Sequence, residues 1–173
     1  MKKSLPYIIT RYVVLAIAIF LNVFILVQAF TEGTKSSEIS GHASEVAANL
    51  INDVIPNTIT DVSMPSFKQF FRKFAGHFCL FGLNGIFSTI SFYLFLKDYE
   101  HFGVAIIHTI SGVFGFLMAL ISELAQIVTS DRTGSMKDVA IDSVGYLLGL
   151  LAVLLVVCLV NLNIKLFQKK QAE

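Results

Sequence analysis

The feature that most constrains the fold of this chain is a set of four long stretches that contain no Asp, Glu, Lys or Arg. They cover residues 12–31, 74–96, 102–122 and 143–164. A helix needs about 20 residues to cross the hydrocarbon core of a bilayer, and each stretch is long enough. Charged residues make up only 14% of the chain, below the usual share in a soluble domain. The sequence therefore predicts an all-α integral membrane protein built as a four-transmembrane-helix bundle.

The bundle is expected to form a single membrane domain over residues 1–173. We place its spans at about 10–30, 74–96, 103–128 and 139–162, with an outer segment at 31–73. An even number of spans puts both termini on one side of the membrane, and both tails are basic, as cytoplasmic segments tend to be. This predicts an N-in/C-in orientation, in which the turn between spans 3 and 4 faces outside.

The first span also has features of a secretory signal peptide. A basic start precedes the apolar run, and Val27-Gln28-Ala29 fits a cleavage site. The apolar run is longer than a usual signal core, which favours an uncleaved first helix.

The outer segment contains the pattern of an extracellular amphipathic helix. One face is polar and includes His42, Glu45 and Asp53, and Pro56 should stop the helix. The serine-rich residues 36–42 are expected to form a loop before it. Such a helix can lie flat on the membrane surface or pack over the ends of the spans. Its apolar face carries Ile39, Ala43, Val46, Leu50 and Val54.

Two capping boxes predict where the second and fourth membrane helices begin. One starts at Ser66, directly after Pro65, and the other starts at Ser135, after the turn at Gly134. In this motif a serine and an acidic or amide side chain three residues later satisfy each other's free backbone N–H groups.

Small and polar residues form a stripe along one face of spans 2, 3 and 4. Because polar groups are costly in lipid, these stripes should face the bundle interior. A GxxxG pair in span 4 lets two helix backbones approach closely, within the bundle or with another subunit. The stripes comprise Lys73, His77, Asn84, Ser88 and Ser91, then His108, Gly112, Gly115, Ala119, Ser122, Glu123 and Gln126, and finally Asp138, Asp142, Gly145 and Gly149.

Three carboxylates, those of Glu123, Asp138 and Asp142, lie in or beside apolar helices near the outer face. A charge at depth in hydrocarbon costs on the order of 3 kcal/mol or more, so such groups mark a candidate site. Asp138 has a simpler explanation, since it can cap the positive end of a helix. Asp142 lies one turn deeper, where capping does not account for it. Glu123 lies near a helix C-terminus, where it needs either a cation, for which Arg132 is the best candidate, or a bound proton that makes it a neutral acid.

Basic residues and histidines accompany these carboxylates. Arg72 and Lys73 lie near the start of span 2, where they and free helix amides can bind an anion such as a lipid phosphate. Alternatively, Lys73 is an interfacial cation that snorkels towards water. His77 lies one turn below Lys73 and is expected to be a base or a hydrogen-bond partner of an aspartate. His108 lies deeper and is expected to pack between helices.

No metal ion or other cofactor is expected at this cluster. His77, Glu123 and the aspartates have ligand types that suit a metal, but the neighbouring cations Lys73 and Arg132 argue against one.

Cysteine content and net charge give little support to metal binding by cysteines or to nucleic-acid binding. Cys79 and Cys158 lie in apolar segments without metal-type spacing, so we interpret them as packing thiols. The formal net charge of +1 gives no electrostatic support for nucleic-acid binding.

Three motifs of the chain belong together: Ser36, Ser37, Ser40, Ser44, Glu45 and Val46; then Arg72, Lys73, Gly76, His77 and Phe78; then Ser122, Glu123, Gln126, Arg132, Asp138, Asp142, Gly145 and Gly149. With these motifs the chain resembles the VanZ-like family of bacterial membrane proteins over most of its length. The resemblance implies a multi-pass protein of the bacterial cell membrane, of Gram-positive origin. The family takes its name from an accessory factor in resistance to the glycopeptide teicoplanin. Asp142 departs from the family pattern, in which Asn is usual, and adds a negative charge.

Three functions fit this cluster. The first is a cell-envelope accessory protein that binds an anionic lipid or lipid-linked wall intermediate and thereby influences teicoplanin susceptibility. The second is a membrane enzyme acting on a lipid-linked phosphate, and the third is a structural bundle whose ion pairs fix helix register. The ligand-binding candidates are Arg72, Lys73, His77, Glu123, Gln126, Arg132, Asp138 and Asp142, and the catalytic candidates are His77, Glu123, Asp138 and Asp142.

Overall fold

Four helical segments of the computed structural model are long and apolar enough to cross a bilayer. The structure describes residues 4–129 and 134–172, and these ranges contain helices and turns but no β-strand. The prediction of an all-helical protein with four candidate membrane-spanning helices is confirmed. The four segments are Leu5–Phe30, Met64–Leu96, Val104–Val128 and Met136–Lys169.

Short turns join the helices of the described chain, and the second membrane segment is a single rod built from three consecutive helical elements. The first helix packs against the helices of spans 2 and 3, and the last helix packs against the same two. In chain order the elements are α1 (Leu5–Phe30), α2 (Gly33–Val54), α3 (Met64–Phe71), a π-helical segment (Arg72–Cys79), α4 (Leu80–Leu96), α5 (Val104–Val128) and α6 (Met136–Ala172).

The second membrane segment begins earlier than predicted. The helix starts at Met64 rather than at the capping box beginning with Ser66. Pro65 occupies the first helical turn, where its missing N–H costs no hydrogen bond and its fixed φ suits a helix. The hydroxyl group of Ser63 accepts a hydrogen bond from the backbone N–H of Thr60 and donates to the Thr60 carbonyl instead of capping the helix.

Residues 36–42 belong to helix α2, so the prediction of a loop there was wrong. The serines remain compatible with a helix because their hydroxyl groups bond to carbonyls one turn earlier. Ser40 donates to the carbonyl of Ser37 at 3.3 Å, and Ser44 donates to the carbonyl of Gly41 at 2.7 Å. The predicted stop at Pro56 is confirmed. Helix α2 ends at Val54, and Ile55, the residue before the proline, is already extended.

The apolar face of α2 is left uncovered by the bundle. Ile39 is 52% exposed and Leu50 is 62% exposed. The residues that α2 buries are the small ones, Ser44 and Ala48, which lets it lie close to the π-helical segment. The helix therefore presents an apolar surface to its surroundings, as an amphipathic helix at a membrane interface does.

An ion pair between Glu45 and Lys68 ties α2 to α3. Lys68 lowers the pKa of Glu45, first through its hydrogen bond and then through its charge. Because this pKa is lower in the folded state than in the unfolded chain, the pair contributes at neutral pH and is lost as the pH falls through the lowered pKa. Both side chains are largely exposed, so the contribution is small.

Glycines bring the backbones of α4 and α6 into direct contact. A β-carbon on Gly149 would lie 2.2 Å from a carbonyl oxygen of α4, and one on Gly145 would lie 2.3 Å from the carbonyl oxygen of Phe78. From the other side, a β-carbon on Gly85 would lie 2.3 Å from the carbonyl oxygen of Tyr146. The GxxxG pair thus packs within the bundle, where small residues allow close helix contact in lipid.

A chain of hydroxyl groups crosses the interior beside this contact. Tyr146 is 1% exposed and its ring covers Gly115, where a β-carbon would lie 2.2 Å from a ring carbon. The Tyr146 hydroxyl lies 3.0 Å from that of Ser111, which lies 2.6 Å from that of Thr89. Ser111 and Thr89 did not belong to the predicted stripes, yet they join α4, α5 and α6 through hydrogen bonds.

A second polar network connects α1 to α4. The Asn84 amide donates to Asn22 Oδ1 at 3.1 Å, and the Ser88 hydroxyl donates to Asn84 Oδ1 at 2.9 Å. Asn84, Ser88 and Ser91 are all buried, so this part of the predicted stripe faces the interior.

We expect the substitution Gly149→Ala to destabilise the bundle by about 1–3 kcal/mol, the usual cost of over-packing a filled interface. The added methyl group would force α4 and α6 apart, because the atoms it meets belong to the backbone. Gly112→Ala is the matched control, since a β-carbon there meets only the Leu150 side chain, at 3.7 Å. Thermal unfolding in detergent, followed by circular dichroism, measures both variants. Equal melting temperatures would contradict this packing.

Candidate functional site

Three of the predicted site residues, Arg72, Lys73 and His77, lie on the π-helical segment Arg72–Cys79. Hydrogen bonds in such a segment run from residue i to i+5, and π-helical turns are rare and frequent at functional sites. The segment directs both Lys73 and His77, four residues apart, towards the start of α6. Lys73 and His77 thus make two successive polar contacts on one face of the segment.

Two polar pairs, one turn apart, join this segment to α6. Lys73 Nζ lies 2.7 Å from Asp138 Oδ1, and His77 Nδ1 lies 3.1 Å from Asp142 Oδ1. The structure therefore confirms that His77 is a hydrogen-bond partner of an aspartate. Asp138 therefore does more than lie at the positive end of a helix, since it also pairs with a cation, Lys73, on a neighbouring helix.

Asp142 is the more deeply buried of the two aspartates, with 1% of its side chain exposed. Its Oδ2 atom is buried and has no hydrogen-bond partner within residues 4–129 and 134–172. A buried polar atom without a partner costs about 1–3 kcal/mol. Asp142 can therefore bind a further group without giving up its contact with His77.

Glu123 is held in place by two hydrogen bonds at the junction of α5 and α6. Gln126 Nε2 donates to Glu123 Oε1 at 2.7 Å, and the backbone N–H of Ser135 donates to Glu123 Oε2 at 2.8 Å. The predicted capping box assigned that N–H to Asp138, and this was wrong because Glu123, from the preceding helix, accepts it. The predicted partner Arg132 lies outside the described residues.

The fold brings His77, Glu123 and Asp142 together from three different elements. One oxygen or nitrogen atom of each side chain lies within 4.8 Å of the corresponding atoms of the other two. Glu123 is 3% exposed and Asp142 is 1% exposed, so two carboxylates are buried side by side. We call these three residues the acidic cluster.

A cavity of about 310 Å³ opens beside the acidic cluster. The remaining wall of the cavity is largely apolar and comes from α1, α2, the end of α3, the π-helical segment and the start of α4. Its volume falls at the lower end of the range for small-molecule sites, about 300–1,000 Å³. The cavity therefore suits a ligand that has both polar and apolar groups. Its polar lining includes Arg72, His77, Ser122, Gln126 and Asp142.

The predicted residues do not all face this cavity. Lys73 lines a separate open groove together with Phe70, Phe74 and Phe78. His108 lies near the opposite end of α5, where its Nδ1 atom is 2.7 Å from the carbonyl oxygen of Val104. The interpretation of His108 as a packing residue agrees with this position.

The first two helices contribute lining residues that the sequence-based site left out. Gln28 from α1 and both Ser36 and Ser40 from α2 line the cavity. Ser36 and Ser40 belong to the serine motif that carries the family resemblance, and Gln28 is a polar residue in an apolar span. Each therefore had a sequence signal that could have placed it at the site.

We predict that Glu123→Leu destabilises the start of α6 by about 1–3 kcal/mol, because the N–H of Ser135 loses its acceptor. Glu123→Gln is the matched control, since its side-chain oxygen still accepts a hydrogen bond. Hydrogen–deuterium exchange of residues 134–138 and the melting temperature measure the difference. Equal exchange in the two variants would contradict the role of Glu123 in holding this junction.

Comparison with known proteins agrees with the motifs of this site. A model of the VanZ/LLP1 protein family matches residues 12–158. No curated protein and no solved structure matches the chain significantly. The matched region extends from α1 into α6 and includes every residue of the acidic cluster and the polar lining residues named above. The chain therefore belongs to the VanZ/LLP1 family.

Proposed function

We propose that this protein is a cell-envelope accessory protein of the bacterial cell membrane that binds the phosphate group of an anionic lipid or of a lipid-linked wall intermediate. The observation that carries the proposal is the cavity, whose lining combines the cation Arg72 and several polar side chains with many apolar ones. A ligand that fills such a cavity needs an anionic or polar head and an apolar chain. Phospholipids and lipid-linked wall intermediates have both.

Arg72 lines the cavity and brings a positive charge to it. Lys73 is already bonded to Asp138 at 2.7 Å, so we assign it the role of neutralising that carboxylate. An arginine can bind a phosphate group through two parallel hydrogen bonds, which suits it to this contact. Gln126 also lines the cavity and has a second amide hydrogen to donate. The sequence-based assignment of Arg132 to the phosphate concerns a residue outside the described ranges.

The apolar wall suits a hydrocarbon chain. It includes Phe24 from α1, Ile39 from α2 and Phe81 from α4. Ile39 also belongs to the apolar face of α2 that the bundle leaves uncovered. In the proposed N-in/C-in orientation, α2 lies in the outer interface of the membrane, and a lipid of the outer leaflet enters the cavity alongside it.

Binding of a wall intermediate would affect glycopeptide susceptibility. The family resemblance points to teicoplanin, which acts at the outer face of the membrane. A protein that retains lipid-linked wall intermediates in the outer leaflet would change the amount that is accessible to the drug. The proposed role in susceptibility thus follows from the proposed binding and needs no further site.

Lipid retention by the purified protein tests the proposal. We expect the wild-type protein, purified in mild detergent, to retain a phosphate-containing lipid that mass spectrometry identifies. Arg72→Gln should retain at least tenfold less, since a hydrogen bond to a charged group contributes about 1.5–3 kcal/mol.

Lys97→Gln is the matched control for this experiment. Lys97 is a cation at the opposite end of the same rod, near the rings of Tyr7 and Tyr93. Its replacement should leave lipid retention unchanged. Bulk phospholipid alone, in equal amounts in all three proteins, would contradict the proposal and favour a purely structural role for the ion pairs.

A second function, an enzyme that acts on a lipid-linked phosphate, is favoured by the contact between His77 and Asp142. A carboxylate that bonds one ring nitrogen orients the imidazole and supports the other nitrogen as a general base. His77 also lines the cavity. Membranes containing the wild-type protein would then modify a lipid-linked phosphate, and His77→Gln membranes would not. Equal conversion by both would exclude His77 as the base.

A further inference from the structure

We infer that the acidic cluster of His77, Glu123 and Asp142 binds one divalent transition-metal ion of the Zn²⁺ or Mn²⁺ class. One candidate ligand atom from each side chain lies within 4.8 Å of the other two. Ligands that share an ion at bond lengths of about 2.0–2.2 Å lie about 3–4.4 Å apart. Small side-chain movements therefore complete the coordination. The expectation of no metal, drawn from the sequence, rested on the cations nearby and not on this geometry.

Burial of negative charge gives the physical reason for a metal ion. Glu123 and Asp142 are 3% and 1% exposed, and carboxylates this close to each other repel. Buried charges in proteins are paired or coordinate metals, because desolvation is otherwise too costly. Asp142 Oδ2 is buried and has no hydrogen-bond partner among the described residues. A divalent cation bound at this atom would satisfy it and balance the two carboxylates.

Lys73 does not neutralise the acidic cluster, because it is committed to another carboxylate. Its Nζ atom lies 2.7 Å from Asp138 Oδ1, one turn from Asp142 along α6. The pair of Lys73 and Asp138 is electrically neutral as a unit. This pairing answers the objection that the charge of Lys73 would repel a metal ion. The other cation of that objection, Arg132, lies outside the described residues.

The ligand types and their supporting contacts indicate the class of ion. An imidazole favours transition metals such as Zn²⁺, and two carboxylates also suit Mn²⁺, whereas Mg²⁺ prefers oxygen ligands alone. Hydrogen bonds from Gln126 and from the backbone of Ser135 hold the Glu123 carboxylate, as outer contacts orient metal ligands elsewhere. Three protein ligands leave coordination positions open, and the cavity adjoins His77 and Asp142.

A ligand phosphate group could occupy the open coordination positions of the ion. This step rests on the proposed function, whereas the metal site itself does not. One phosphate oxygen would complete the coordination of the ion while Arg72 binds another. An imidazole that ligates a metal ion cannot act as a free general base. The metal site therefore excludes the role of His77 in the second candidate function.

Metal uptake by the full-length, tag-free protein tests the inference. The protein is treated with a chelator and dialysed, and Zn²⁺ and Mn²⁺ are then added separately in calorimetric titrations, with elemental mass spectrometry to count bound ions. We expect one ion per chain for the wild type and at least tenfold weaker binding for Glu123→Gln and Asp142→Asn. Glu38→Gln and Asp53→Asn, at exposed positions of α2, are matched controls and should bind as the wild type does.

Melting temperatures show whether each variant is folded. An ion that binds only the native state raises the melting temperature, so it should stabilise the wild type and both controls but neither Glu123→Gln nor Asp142→Asn. His77→Gln, which keeps both carboxylates, replaces either variant that fails to fold.

Two results would overturn the metal site: no saturable uptake by the wild type, or equal uptake by the wild type and the cluster variants. Lipid retention separates this inference from the proposed function. Phosphate lipid retained without metal uptake would overturn the metal site alone, and metal uptake without retained phosphate lipid would overturn the proposed function alone.

Discussion

The contact between the backbones of α4 and α6 determines the geometry of the site. Gly145 and Gly149 leave no room for a side chain between the two helices, and Gly145 meets the carbonyl oxygen of Phe78, the residue after His77. This contact fixes both the distance and the register between the π-helical segment and the start of α6. The 3.1 Å contact between His77 and Asp142 follows from that register, as does the ion pair one turn away. Larger residues at these glycines would separate the partners.

The two ends of the bundle accommodate charge in different ways. At the end away from the site, the guanidinium group of Arg11 lies 3.7 Å from the ring centre of Phe95, and Lys97 lies near two tyrosine rings. Such combinations of cations and aromatic rings anchor helices at the membrane interface. At the site end, two carboxylates are almost completely buried. Ionisable groups at such depth in membrane proteins are costly and commonly serve a function, which is consistent with the proposed site.

The sequence alone could predict the spans and the inward stripes, because the cost of polar groups in lipid dominates local preferences. Ser88 and Asp142 are buried as expected, and the contact of His77 with an aspartate was within reach because both lie at the same depth. The π-helical segment was not predictable, since a stretch with helical periodicity does not reveal a change in hydrogen-bond register. The bond between Glu123 and Ser135 was missed because a local motif pointed to Asp138. The helical start of α2 was missed because serine is common in loops. In a helix its hydroxyl group can also donate a hydrogen bond to a backbone carbonyl one turn earlier, as it does here.

An experimental structure of the protein, purified with its own lipids and crystallised in a lipidic mesophase, would show most directly what fills the cavity. We predict a phosphate group within hydrogen-bonding distance of Arg72, next to the acidic cluster. The attached hydrocarbon chain should lie along Phe24 and Ile39, which line the apolar wall. A cavity that contains only water, or a hydrocarbon chain without a phosphate group beside Arg72, would contradict lipid head-group binding at this site.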